Sequence, residues 1–391
     1  MTATPSDRFD MIRLARSEGI GPINFPRFLA CYGSAAAAIE AIPERMRRAG
    51  RDGPSHIPSR AEIEDEIAGT ERLGGRMLVL GDADYPLLLA HIVDPPPVLS
   101  VLGDVALASR RGVAIVGARH PSAAGLSLAE SLGRECAAAG LCVMSGLALG
   151  IDAAAHRGAI ETGATVAAIG GGADSIYPAQ NRDLQALIAA RGCIVTEAPL
   201  GTVPTARHFP RRNRLIAGMT LGTLIIEAAE RSGTLITARL ALEYGRDLFA
   251  VPGSPLDARS RGGNRLLRDG AILTETAEDI LAELPESLPP AFVPPWVRPE
   301  GFAEAKSAWN GAGRLGAHAV ATVRSLLSPV PVPVDAIVSR CQFSVSAVMA
   351  ALSELELGGH AAFVPGGRVM ARADGRNSPV TGTPQGIPEE T

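Results

Sequence analysis

The stretch Val113-Ala-Ile-Val-Gly117-Ala-Arg119-His-Pro-Ser122-Ala-Ala-Gly125 decides the fold. Four apolar residues with nothing polar between them read as a strand buried on both faces. Gly117 ends the run, and Ser122 and Gly125 lead into a helix over Leu126–Ala139. A strand that turns through small residues into a helix builds an anion site, because backbone amides and the positive helix end face the turn. Arg119 stands at the mouth of that turn with a fixed fork of donors suited to a phosphate. Its plain alternative is a surface salt bridge.

Outward from this unit the pattern repeats. Apolar runs at Met77–Leu80, Leu141–Met144, Thr165–Ile169, Ile194–Thr196, Thr223–Ile226 and Asp247–Val251 alternate with helical stretches such as Asp183–Ala190. Apolar strands in that alternation predict an α/β core: a Rossmann-like, doubly wound parallel sheet with its ligand at the strands' carboxyl ends. Before it, Phe9–Thr70 reads as short helices. Gly19-Ile20-Gly21-Pro22 joins two of them, the second over Phe25–Cys31 and ending at Gly33. This is the pattern of a SAM-like or helix-hairpin-helix module, with a plain helix–helix corner as the alternative. After the core, Pro285–Gly313 is rich in Pro, Ala and Glu and reads as a linker. Helices at Ala317–Leu327, after Pro333, and at Val345–Leu357 then precede a hairpin, Ala361–Val364 and Val369–Ala371. Three helices and a hairpin in that order describe a winged helix. Its third helix has no basic residue and carries Glu354 and Glu356, so it reads as a protein contact or a vestigial wing rather than a DNA reader. The expected domains are residues 1–72 (helical), 73–284 (Rossmann-like), 285–313 (linker), 314–373 (winged helix) and 374–391 (disordered tail).

The 391 residues are 46% hydrophobic and 20% charged, with a net charge of −4, which argues against a protein that coats nucleic acid over its whole surface. One local basic groove is still compatible, since phosphate contacts are local. Lys306 is the only lysine, so a cluster of arginines carries more information than any single one. It also rules out a Gly-Lys-Ser/Thr phosphate loop, and with it ATP hydrolysis of that kind. Five scattered cysteines with no C-x-x-C pair read as free thiols in a reducing cytoplasm. No apolar run is long enough to span a bilayer and the first ten residues lack the apolar core of a signal peptide, so a cytoplasmic location is expected. The seven histidines are dispersed, and neither a metal nor a cofactor is expected.

Three further segments carry chemistry. Ser145-Gly146-Leu-Ala-Leu-Gly-Ile-Asp152-Ala-Ala-Ala-His156 again puts small residues after a strand, where backbone can approach a ligand. Asp152 and His156, four apart, form an acid–base pair or, on the plain reading, a helix cap and its partner. Asp or Glu near the end of that strand would suit a dinucleotide's ribose, and its absence counts against such a cofactor. Arg207-His208-Phe209-Pro210-Arg211-Arg212-Asn213-Arg214 is the most basic stretch of the chain. It offers a π-face for a base and forks for a backbone, as single-stranded nucleic acid requires; one or two of these arginines are expected to pair instead with acids such as Glu197 or Glu227. Ser232-Gly233-Thr234 offers hydroxyls and bare amides at a helix start, or serves as a routine N-cap.

Six motifs of this core resemble, in order and spacing, the DprA/Smf (DNA-processing protein A) family. They are Val-Gly-Ala-Arg-x-x-Ser (116–122), Ser-Gly-Leu-Ala-x-Gly-Ile-Asp-x-x-Ala-His (145–156), and Ile-Gly-Gly-Gly-Ala-Asp-x-Ile-Tyr-Pro-x-x-Asn (169–181). There follow Phe-Pro-Arg-Arg-Asn-Arg-Leu-Ile-Ala-Gly (209–218), Glu-Ala-x-x-x-Ser-Gly-Thr-Leu-Ile-Thr-Ala (227–238) and Gly-Arg-Asp-Leu-Phe-Ala-Val-Pro-Gly (245–253). Ala118 and Thr234 depart mildly, where the family more often has Ser. The resemblance implies a dimeric, non-enzymatic protein that binds and shields incoming single-stranded DNA and loads RecA in natural transformation and recombination, with single-strand-binding protein as a further candidate partner. It implies phosphate contacts from Arg119, Arg211, Asn213, Arg214 and Ser232, and base stacking on Phe209. The rival is a Rossmann-like nucleotide phosphoribohydrolase, whose Pro-Gly-Gly-x-Gly-Thr loop is absent from this chain.

Overall fold

A computed structural model describes residues 5–49, 56–162, 164–294, 296 and 312–372. Four helices come first: α1 (Pro5–Arg16), α2 (Asn24–Tyr32), α3 (Ala35–Arg48) and α4 (Arg60–Arg72). Gly33, at φ 77°, ends α2 by sending its amide back to Leu29, as a left-handed cap does. A reciprocal box between Ser59 and Glu62 starts α4.

The core then runs β1 (Gly75–Val79), α5 (Leu87–Ala90), β2 (Val98–Gly103), β3 (Gly112–Gly117), α6 (Ala123–Ala138), β4 (Cys142–Ser145) and α7 (Ile151–Thr162). It continues with β5 (Thr165–Ala168), α8 (Arg182–Arg191), β6 (Cys193–Thr196), α9 (His208–Gly218), β7 (Gly222–Ile226), α10 (Thr234–Glu243), β8 (Asp247–Ala250), α11 (Arg261–Arg268), β9 (Ile272–Leu273) and α12 (Ala277–Glu283). The nine strands order as β1-β2-β6-β5-β4-β3-β7-β8-β9. From β6 to β9 neighbours are parallel, and the order reverses between β3 and β7. The doubly wound parallel core is as the apolar runs indicate. Val113 and Ile115 pack on one side of the sheet and Ala114 and Val116 on the other. Both faces are therefore covered by helices, which is why β3 tolerates no polar residue.

Two strands are absent from the sequence reading: β9, the short strand at one edge, and β2, next to the other. β2 pairs antiparallel with both β1 and β6. It follows Pro95-Pro96-Pro97, and its own run Val98–Leu102 is wholly buried.

The C-terminal module comprises α13 (Ala312–Leu326), β10 (Val332–Pro333), α14 (Val334–Val338), α15 (Val345–Leu357), β11 (Ala361–Val364) and β12 (Arg368–Ala371). Ser344 caps α15 through the amide of Ala347. This is a winged helix with a three-stranded sheet β10-β12-β11. Its third helix is turned inward. Leu357 is fully buried in the core of the N-terminal helices. Asn24 Nδ2 donates to Glu356 Oε2 at 2.6 Å, Arg45 lies 3.7 Å from Glu354, and Arg27 donates to Ser353 and to the carbonyl of Met349. The wing is tied to the core by an ion pair of Arg368 with Glu243. The acidic α15 thus makes a protein contact, and its partner is the chain's own first module. In the Gly19–Pro22 turn, Asn24 holds the carbonyl of Gly19, and Leu357 lies against the glycine.

The expected linker, 285–313, is only partly described. Phe292 stacks edge-on with His91, with ring centroids 5.5 Å apart, and Trp296 does so with Phe25 at 5.8 Å. The described part is therefore laid along the molecule rather than free. Residues 295 and 297–311, and the expected tail 374–391, lie outside the described residues. Among the described residues no helix is long and apolar enough to cross a membrane.

Candidate nucleic-acid interface

Helix α9 sorts the basic cluster by helical geometry. Arg207 and Arg211, four apart, are exposed on one face, while Phe209 and Arg212, three apart, face the sheet's end. Arg212 and Arg214 are buried, at 5% and 1% exposure. Phe209 lies in an open cleft at the carboxyl ends of β4 and β5, lined also by Arg119, Gly146, Gly170, Gly171 and Tyr177. Its ring stands 5.5 Å from that of Tyr177, tilted by 36°. The Arg119 guanidinium lies 5.2 Å from the ring centre, within cation–π range. Arg119 is exposed, and no ion pair engages it among the described residues.

Beneath the cleft Arg212 works as a brace. One Nη donates to the carbonyls of Gly146 and of Ala168, joining the loops that follow β4 and β5. Burial lowers its pKa to about 10, with Asp152 opposing the shift; it stays cationic at neutral pH. Gly146 is required here because a Cβ would run into the Arg212 guanidinium. The small residue after β4 therefore serves an internal arginine as much as a ligand. Ser145 is fully buried and donates to the carbonyl of Ile115 at 2.6 Å, so it is closed to a ligand.

The anion site expected at Gly117, Ser122 and Gly125 is filled from within. Glu227, held at φ 50°, accepts from the Ser122 amide at 2.8 Å and from the Ser122 hydroxyl. Its carboxylate takes the place against the N-terminus of α6 that a phosphate would occupy, and it packs on Gly125. Gly117 packs too tightly on Ile226 and Ile151 to admit even a Cβ. Across the gap, the Thr234 hydroxyl donates to the Gly117 carbonyl at 3.0 Å, and Ser232 Oγ lies 3.0 Å from it. Ser232 and Thr234 thus spend their hydroxyls on the protein, while Gly233 is exposed with open space about it. The crevice at the strand-order reversal, the usual ligand position, is blocked, and the open cleft lies one strand to the side.

Arg214 is one of the arginines expected to pair with an acid, and the phosphate contact that the resemblance implies for it is corrected. It donates to Glu197 and to the carbonyl of Asp94, deep below the surface. Burial works against its charge, but Glu197 and then Asp94 outweigh it and hold the guanidinium protonated. Its fork cannot reach a phosphate. Glu197 also lies 3.7 Å from Arg211, whose side chain is 58% exposed and remains available. Asn213 is half-buried and does not line the cleft. Of the expected residues, the cleft and the exposed face of α9 bring together Arg119, Gly146, Phe209, Arg207 and Arg211. Tyr177 and the Gly170-Gly171 turn join them, residues not singled out as site residues from the sequence. The signal for them was the glycine run directly after the β5 strand.

Asp152 and His156 form neither an acid–base pair nor a cap with its partner, since each is bonded elsewhere. Asp152 accepts the amides of Gly146 at 3.1 Å and Ala148 at 3.4 Å, while His156 Nδ1 lies 2.7 Å from Thr165 Oγ1. The Thr165 hydroxyl gives its own hydrogen to the carbonyl of Val143. It must therefore accept from His156, which fixes the Nδ1–H tautomer. Burial drives the His156 pKa down to about 3. The unfolded imidazole binds a proton below about 6.5 while the folded one does not, so stability is fully present above that pH and falls as pH drops toward 3. The expected slope from this group is up to about 1.4 kcal/mol per pH unit. His156→Asn keeps a donor near Thr165 but cannot titrate. The wild-type minus variant unfolding free energy should fall between pH 7.5 and pH 5; a constant difference would show that His156 titrates as if exposed.

A doubly wound sheet with an arginine- and aromatic-lined cleft at its strands' carboxyl ends, an N-terminal helical module and a C-terminal winged helix define an α/β protein of Rossmann-like core. Comparison with known proteins narrows this. Residues 76–285 match the family model described as DNA recombination-mediator protein A, residues 5–69 a DprA-like N-terminal HHH domain, and residues 318–367 a DprA winged helix domain. The chain is 40% identical over 222 residues to the DNA processing protein DprA of Bacillus subtilis, covering 56% of this chain and 75% of that protein. It is 35% identical over 315 residues to Protein Smf of Escherichia coli, covering 80% and 82%. The X-ray structure of DprA from Streptococcus pneumoniae superposes with a TM-score of 0.59 at 31% identity, over 73% of this chain and 99% of that one. The chain belongs to the DprA/Smf family.

Proposed function

We propose that the chain binds single-stranded DNA in the Phe209 cleft, shields it and presents it to the recombinase RecA in transformation and recombination. The observation that carries this is the half-open Phe209 ring, with Tyr177 beside it and exposed Arg119 over it. A base can stack on such a ring while arginine takes the adjoining phosphate, and a base paired within a duplex cannot. The membership of the chain in a family described by recombination mediation supports the same reading.

The protein's part is binding, not chemistry. Asp152 and His156 are buried and engaged by Gly146, Ala148 and Thr165, and Glu227 is engaged by Ser122. A general acid or base must reach the reacting group, and these three are spent on holding loops; the fourth candidate, Glu230, is exposed and does not line the Phe209 cleft. The test is strand exchange by RecA on DNA already coated with single-strand-binding protein. Stimulation by the wild type should survive His156→Asn and disappear in Arg119→Ala. Nuclease or nucleosidase activity abolished by Glu227→Ala would replace this reading with an enzyme.

A further inference from the structure

The Phe209 cleft does not end at α9. Ile169, Gly170 and Arg212 line both it and an adjoining hollow, which also includes Arg207, His208 and Arg211. Those three in turn line a wide groove between α9, α10, the Gly19–Pro22 turn and the wing. The groove is the larger of the two and extends from α9 past α10 to the wing, so it has room for a run of backbone rather than one base. Arg239 on α10 and Arg372, just past β12, border it; both are exposed, and neither has an ion pair among the described residues. The acids that face it are largely committed. Asp94 accepts from the Tyr244 hydroxyl at 2.8 Å and faces buried Arg214, and Glu356 accepts from Asn24. Glu18, at the edge, accepts from the amide of His56 at 3.3 Å, and burial pushes the Glu356 carboxyl up to about 7. The groove is therefore cationic on balance, and it is continuous with the cleft.

We infer that this groove is a second segment of the single-strand path, in which Arg207, Arg211, Arg239 and Arg372 track successive phosphates after the strand leaves Phe209. In this arrangement the winged helix takes part in strand binding through its wing, as one wall of the groove. Its third helix is buried against the N-terminal helices and is closed to a duplex major groove. The inference rests on the Phe209 reading, and the two can fail separately.

The test uses the full chain, fluorescent oligothymidylates of about six and about sixteen nucleotides, and a salt titration of affinity. The short strand should occupy the cleft alone, and the long one should bind with a steeper salt dependence. Arg239→Ala and Arg372→Ala should each remove about 0.7 from the log–log salt slope of the long strand and weaken it about three- to tenfold. Binding of the short strand should not change. Identical slopes for both lengths in the wild type, or variants that bind the long strand as the wild type does, would overturn the groove. A duplex that loses as much as the long strand in these variants would also overturn it, assigning the groove to duplex. Short-strand binding that is indifferent to Phe209→Ala would overturn the cleft instead.

Discussion

Glu197→Ala lowers the stability of this protein by about 3–5 kcal/mol, the cost of leaving a buried cation without its partner. Glu197, in the loop after β6, meets Arg214 at the buried face of α9, and its own main-chain carbonyl accepts from Arg16 at 3.0 Å. Removing the carboxylate takes the main partner from a guanidinium that is 1% exposed and leaves it only Asp94. Because α9 carries Arg207, Phe209 and Arg211 on its other faces, the loss also loosens the site. Urea unfolding measures the effect. Glu197→Gln, which keeps an acceptor, should lose less, and the double change Glu197→Leu with Arg214→Met should recover part of the loss, since the cation is gone; the recovery stays partial because buried Asp94 then keeps only its bond from the Tyr244 hydroxyl. A loss below about 1 kcal/mol in Glu197→Ala would mean that water reaches Arg214 and that the pair does not anchor the helix.

Phe209→Ala costs about 1–3 kcal/mol of single-strand affinity, the usual worth of one stacked base, with little effect on folding because the ring is only half-buried. Arg119→Ala costs a similar about 1–3 kcal/mol if its fork meets a phosphate. Arg119 lies 5.2 Å from the Phe209 ring centre, so the two losses should not add: each change also disturbs the surface the other uses. Fluorescence anisotropy on the two single variants and the double variant gives the coupling. If Phe209→Tyr binds as the wild type and Phe209→Ala does not, the aromatic face is the contact. If Arg119→Ala binds as the wild type but melts at lower temperature, Arg119 is structural.

The physical reasons why some of this was readable from sequence and some was not differ by residue. The βα alternation is legible because burial on both faces leaves a strand no polar residue, and Val113–Val116 shows that directly. The winged helix is legible from its caps and its Gly366-Gly367 turn, where φ is 85° and 64°. The basic stretch 207–214 announces itself by composition, but composition carries no direction. Which arginines turn inward depends on partners remote in sequence: Gly146 and Ala168 for Arg212, Glu197 and Asp94 for Arg214. The same distance hides Glu227, 105 residues from the Ser122 whose anion site it fills. A local strand–turn–helix pattern marks where an anion can sit, and only the fold shows that the protein supplies one itself. β2 is not legible in the same way, because it pairs antiparallel with β1 and β6 outside the βα alternation and its place comes from the sheet as a whole.

The most direct test of the account is a competition between single-stranded and duplex DNA of equal length for the wild-type protein, repeated from low to moderate salt. Phosphate contacts make both affinities fall with salt, by about one order of magnitude or more for a few contacts, but only an unpaired base can stack on Phe209. The account predicts a preference for the single strand at every salt concentration, persisting where the electrostatic part has been screened and collapsing in Phe209→Ala. Equal affinity for the two forms across the range, or a preference that Phe209→Ala leaves intact, would contradict it.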